Sequence, residues 1–254
     1  MQTASKKIVN GWAMYDWANS VYNLVITTTF FPAYYAAVTS LEKFPDGITF
    51  LGRRFVNTEL KDYVLAFGFL VIALLSPILS SIADYKGNKK NFMRFFCYLG
   101  AASCSLLFLF DQNNVTLGLM CFMFAGIGFY GSQVFYNSYL PEIAAYEDRD
   151  KVSARGFMMG YIGSVILQLI GFGLVLYFQA KGDNTSGPLL TFLLVGIWWI
   201  GFAQIPFAYL PMGKVRSQKQ GVNFLTAGFR ELIIVLKQVL KRGVLNWFLA
   251  AFFL

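Results

Sequence analysis

The chain has 254 residues, 57% hydrophobic and only 13% charged, with a mean hydropathy of +0.54 and a formal net charge of +8. That balance excludes an ordinary soluble domain, in which about a quarter of residues are charged. The absence of histidine excludes His-based catalysis and His metal ligation, and no basic patch on a soluble domain points to nucleic acid as a partner.

The charges are segregated, leaving uncharged runs at 17–41, 63–83, 95–110, 112–141, 156–180 and 184–213. A hydrocarbon layer of about 30 Å needs roughly 20 apolar residues in helical form. Five runs reach that length. The third does so once Phe92 and Met93 join it and Arg94 snorkels to the interface. Six membrane spans are therefore predicted, at 13–38, 63–83, 92–110, 116–139, 156–179 and 189–210, and the fold class is all-α integral membrane.

The first span opens with Tyr15-Asp16-Trp17-Ala18-Asn19-Ser20. It is too long and too polar on one side for the apolar core of a cleaved leader. At 100° per residue, Asp16, Asn19, Ser20, Asn23, Thr27 and Tyr34 share an arc of about 100°. A polar stripe on a membrane helix faces protein or water, not lipid. It serves either as interhelical glue or as the wall of a solute path. An ionisable group there is a functional candidate by default. Asp16 is expected at the edge of the span, either capping a helix or receiving a solute at the mouth of a path.

The loop from Thr39 to Asp62 is long and mixed in charge. After the second span comes Ser80-Ser81-Ile82-Ala83-Asp84-Tyr85-Lys86-Gly87-Asn88-Lys89-Lys90, a tight turn in which Gly87 supplies conformational freedom. Asp84 is placed to cap the positive end of a neighbouring helix. Cys97, Cys104 and Cys121 fall inside spans and read as small apolar residues. Gly126, Tyr130, Gln133 and Asn137 line one face of the fourth span, and Tyr161, Ser164 and Gln168 one face of the fifth. Beside the latter runs a seam of Gly156, Gly160, Gly163 and Gly171, the small-residue pattern of close helix packing. Short connections at 111–115 and 180–188 make spans 3–4 and 5–6 antiparallel hairpins. Polar faces on several helices imply a shared hydrophilic path lined by Asp16, Asn19, Asn23, Thr27, Tyr130, Gln133, Asn137, Tyr161 and Gln168. Amides, hydroxyls and rings suit a neutral or zwitterionic solute.

Residues 213–243 are basic, with Phe224, Phe229, Leu232, Ile233, Leu236 and Leu240 at helical spacing. They are expected to lie on the membrane surface as an amphipathic linker. A further apolar run at 244–254 is about half a span long and is expected to be the truncated start of a seventh helix. Placing the N-terminus and the even-numbered loops in the cytosol puts 16 basic residues there and 5 on the other side. The positive-inside rule then predicts a cytoplasmic N-terminus.

The turn after span 2 resembles the signature loop of the major facilitator superfamily, Gly-x-Leu-Ala-Asp-x-x-Gly-basic-basic, with Ser80 at the first Gly and Ile82 at the Leu. Tyr15-Asp16-Trp17-Ala18-Asn19-Ser20 with Phe30-Phe31-Pro32, Phe135-Tyr136-Asn137-Ser138-Tyr139-Leu140-Pro141-Glu142-Ile143, and Gly156-Phe157-Met158-Met159-Gly160-Tyr161-Ile162-Gly163 narrow it. Together they resemble the vacuole-effluxer branch, the autophagy-related amino-acid exporters and their bacterial relatives. The resemblance implies the N-terminal six-helix bundle (3+3 inverted repeats, residues 1–212) of a twelve-helix secondary transporter in the cell (inner) membrane. Its partners would be a small-molecule substrate, the lipid bilayer and a missing C-terminal six-helix half, and no cofactor is implied. Alternating access between two bundles would be gated by Asp84, Gly87, Lys89 and Lys90, with Glu142 pairing Lys89, Lys90 or Arg155. Span 4 lacks the Arg that some superfamily members use as a charge relay, which puts proton coupling by that route in doubt. The expected activity is amino-acid-like solute transport. The alternative is a scaffold or sensor on the same fold. An enzyme is disfavoured by the lack of His and of a buried carboxylate pair.

Overall fold

The computed structural model describes residues 2–212 apart from the side chains of 84–86, together with residues 233, 234, 237, 238, 240–243, 246, 247 and 251. The linker expected at 213–243 and the helix start expected at 244–254 lie largely outside the described residues.

The first crossing is a composite rod. Helix α1 (Lys6–Val21) runs into a π-helical segment (Tyr22–Phe30) and then α2 (Phe31–Val38). A hairpin of β1 (Ile48–Phe50) and β2 (Arg53–Phe55) follows, turning on Leu51 and Gly52, both at positive φ. Then come α3 (Asn57–Lys86), α4 (Lys89–Leu106), α5 (Val115–Ile143), α6 (Arg149–Gln179) and α7 (Ser186–Tyr209). Counting the short 3-10 turns at their ends, these five helices are long and apolar enough to cross a bilayer. With the composite rod they form the expected all-α bundle of about six spans.

The chain divides into two compact units, Met1–Ile72 with Lys90–Pro211, and Ala73–Lys89 with Met212–Leu254. In the second unit, α3 ends where Gly87 takes φ 64° and the Asn88 N–H bonds the Ala83 carbonyl at 3.2 Å. That six-to-one bond closing on a left-handed residue is a Schellman stop. The glycine of the signature turn therefore meets a backbone demand.

In the first unit, α1 packs against both α6 and α7. Between lipid-soluble helices the driving force is close packing and interhelical hydrogen bonding rather than escape from water, and the contacts fit that. Trp12 Nε1 donates to the Tyr136 carbonyl at 3.1 Å, and Trp198 Nε1 to the Trp17 carbonyl at 3.0 Å. Phe31 stacks on Phe122 at 3.9 Å, and Tyr34 Oη donates to the Phe110 carbonyl at 2.9 Å. Tyr34 is thus a strut of the core, not part of a solute face. In the turn before α7, hydrogen bonds from Ser186 and Thr185 hold the Asp183 carboxyl below the usual carboxylate range.

Helices α4 and α5 nearly touch through backbone. A Cβ on Gly128 would lie 2.4 Å from Gly100 Cα and 2.7 Å from the Phe96 carbonyl oxygen. Neither neighbour is a flexible side chain. Gly128→Ala is therefore expected to destabilise the bundle by about 1–3 kcal/mol, seen as a lower Tm in detergent. An unchanged Tm would mean the helices cross less closely.

Candidate functional site

Helix α1 begins at Lys6, ahead of the expected 13, because Val9, Trp12 and Ala13 are already buried. Asp16 therefore lies ten residues in, about 15 Å along the helix at 1.5 Å per residue. Asp16 thus does not cap α1. Asp16 is instead an inward group, 6% exposed, on the wall of a cavity of about 410 Å³ between the first rod, α5 and α6.

The carboxylate is held on two sides. Tyr136 Oη donates to Asp16 Oδ2 at 2.8 Å, and the Gln133 side chain also reaches the carboxylate. Tyr136 is itself fixed, since its ring stacks on Trp12 at 4.3 Å and 11°. On the α6 side, Gly156 brings backbone close: a Cβ there would lie 2.6 Å from Oδ2 and 3.0 Å from Trp12 and Tyr136 Oη. At Gly160 a Cβ would lie 2.5 Å from Ser20 Oγ, and at Gly163 2.9 Å from the Trp17 carbonyl. Gly156, Gly160 and Gly163 of the expected seam thus make the α1–α6 contact, whereas Gly171 meets Thr191 and Phe30, and the first member, Gly156, forms the wall behind the acid. No ion pair to Asp16 occurs among the described residues.

Of the residues expected on the solute path, Asp16, Asn23, Tyr130, Gln133, Asn137 and Tyr161 line this one cavity, as does Ser164. Asn19, Thr27 and Gln168 do not. Asn19 is fully buried within the bundle. The π segment displaces Thr27. In an i→i+5 register the residue above Asn23 is Thr28, whose hydroxyl bonds the Asn23 carbonyl at 2.9 Å and which lines the cavity. Thr29 bonds the Leu24 carbonyl at 2.8 Å in the same register, and Gln168 Nε2 donates to Thr29 Oγ1 at 3.1 Å. Gln168 is interhelical glue. Pro32, at the start of α2, has no N–H to offer a carbonyl of the preceding turn, which favours the wider register.

The expected gate residues are less gathered. The Asp84 side chain lies outside the described residues. Gly87 makes the turn, and Lys89 opens α4 with its side chain buried. Lys90 is turned into its own bundle, where Nζ donates to the Leu210 carbonyl at 2.7 Å, just past the end of α7. An ammonium at a helix C-terminus satisfies an orphan carbonyl and complements the dipole. Glu142 is exposed in the last turn of α5. Sequence reasoning passed over Tyr136, Trp12, Ser153 and Phe157 as cavity residues. The spacing of Tyr136 three residues after Gln133 was the available signal.

The family model "Vacuole effluxer Atg22 like" matches residues 4–254. The chain belongs to this family. It is 34% identical to the uncharacterized MFS-type transporter YxiO of Bacillus subtilis, over 96% of this chain and 55% of that protein. It is 24% identical to autophagy-related protein 22-1 of Aspergillus terreus, over 63% of this chain and 37% of that protein. The chain thus spans about half the length, or less, of these curated relatives. No solved structure matches. Membership of a transporter family, not an enzyme family, accords with a multi-pass membrane bundle whose polar groups converge on a cavity.

Proposed function

We propose that the chain is one bundle of a secondary active transporter that moves a small neutral or zwitterionic, amino-acid-like metabolite by alternating access. The observation that carries this reading is the cavity. Three helices of one bundle place amides, hydroxyls and aromatic rings around the Asp16 carboxylate, a lining suited to a small polar solute. The family match supports the class of activity. In this reading the N-terminus is cytoplasmic, as the distribution of basic residues favours. A second bundle completes the cavity, with the segment at 213–243 as linker and that at 244–254 entering a seventh helix. The turn around Asp84, Gly87 and Lys89 latches against that second bundle on the cytoplasmic side.

The test is counterflow in proteoliposomes of the full-length protein, with radiolabelled amino acids, dipeptides and sugars. Saturable exchange of an amino acid is the expected result, and no exchange of any solute would overturn the reading. Asp84→Ala is expected to slow exchange roughly tenfold, the effect of about 1.4 kcal/mol on the inward–outward equilibrium. Unchanged exchange would remove the latch.

A further inference from the structure

Resting on the transport reading above, we propose that this bundle recognises its solute by a cationic nitrogen, with Asp16 receiving the ammonium group and aromatic rings around it selecting an organic amine or amino compound. An ionised carboxylate withdrawn from water is costly unless paired. Here Asp16 is 6% exposed with no ion pair among the described residues. Tyr136 and Gln133 leave acceptor capacity on an anion that can take several donors. Among the described residues no lysine or arginine lines the cavity, and Asp16 is the one carboxylate on its wall. The described lining therefore offers a charged partner to the positive end of a zwitterion and only neutral amide and hydroxyl donors to the negative end.

The rings decide what kind of cation fits. Trp12 and Tyr136 stack beside the carboxylate, while Phe157 and Tyr161 follow the two glycines that bring α6 against Asp16 and Ser20, and both line the cavity with their rings accessible, 62% and 71% exposed. Ring faces within about 6 Å attract ammonium groups. A hard metal ion instead asks for six or more oxygen ligands, and no group of three or more His, Cys, Asp or Glu side chains suited to a metal occurs among the described residues. A primary ammonium has three donors for the carboxylate and the amides, and its carbon chain is left for the rings.

The experiment uses the full-length protein with three probes that share one isobutyl side chain: leucine, 3-methylbutylamine and 4-methylpentanoic acid. Each is tested as a competitor of counterflow and as a stabiliser in a thermal-shift assay. Leucine and the amine are expected to compete and to raise Tm, and the acid to do neither. Asp16→Asn is expected to weaken the amine at least tenfold. Phe157→Ala, an exposed position where folding is safe, is expected to weaken it about threefold or more. An acid that competes as well as the amine would overturn the inference, as would amine binding that survives Asp16→Asn. Exchange of a labelled amino acid without amine competition sinks this inference and leaves transport standing. An Asp16-dependent Tm shift by the amine without any exchange does the reverse.

Discussion

Asp16→Asn is expected to cut transport sharply while leaving the bundle as stable as before or more so. The two effects have opposite signs for one physical reason. The carboxylate sits 6% exposed with no ion pair among the described residues, so its negative charge is a cost to folding. Asn keeps the shape, and its carbonyl still accepts the Tyr136 hydroxyl that now meets Oδ2 at 2.8 Å. What disappears is the charge. A charge-assisted hydrogen bond contributes about 1.5–3 kcal/mol, so the half-saturating concentration of an amino solute should rise roughly 10- to 100-fold. Proteoliposome kinetics give the first quantity and detergent Tm the second. A group kept for architecture would behave otherwise, and removing it would lower Tm. That outcome would return Asp16 to a structural role.

The contrast between Asp16 and Asn19 shows what could be read before the fold. Periodicity finds a polar face wherever the helix keeps 3.6 residues per turn. That logic held through α5, where Tyr130, Gln133 and Asn137 share the cavity. In the first rod it misplaced Asn19, which is fully buried in the regular α1, and it lost the face after Asn23, where nine residues follow the wider π register and Thr28 takes the place expected for Thr27. No hydropathy pattern encodes that change. It arises from Pro32 and the hydroxyls of Thr28 and Thr29, which bond carbonyls five residues back. Tyr136 was passed over for a different reason. A tyrosine in a membrane span reads as core, and most of Tyr136 is core, 2% exposed and stacked on Trp12. Only its Oη meets the acid. The glycines of α6 were legible as a packing seam, since small residues at helical spacing have one use in a bilayer. That the seam begins against a carboxylate depends on α6 lying beside α1 at Asp16, a tertiary pairing that spacing within one helix does not encode.

Gly156→Ala is expected to damage both folding and function, and a second substitution should separate the two. The new methyl would sit 2.6 Å from Asp16 Oδ2 and 3.0 Å from both Trp12 and Tyr136 Oη. The carboxylate is too short to swing clear, and Tyr136 is held by its stack on Trp12. Either α6 withdraws from α1 or the Asp16–Tyr136 hydrogen bond breaks. Overpacking of this kind costs about 1–3 kcal/mol, so Tm should fall together with exchange. Removing the carboxylate in Asp16→Ala frees the space that the methyl needs. The double variant Asp16→Ala/Gly156→Ala should then recover Tm toward that of Asp16→Ala alone while exchange stays lost. Residues in contact couple by about 0.5–3 kcal/mol in such a cycle, whereas independent sites add. Additive Tm losses would mean that Gly156 does not form the wall behind the acid. Recovered stability with absent exchange would establish that the glycine is there to let α6 reach the carboxylate, and that the carboxylate is there for the solute.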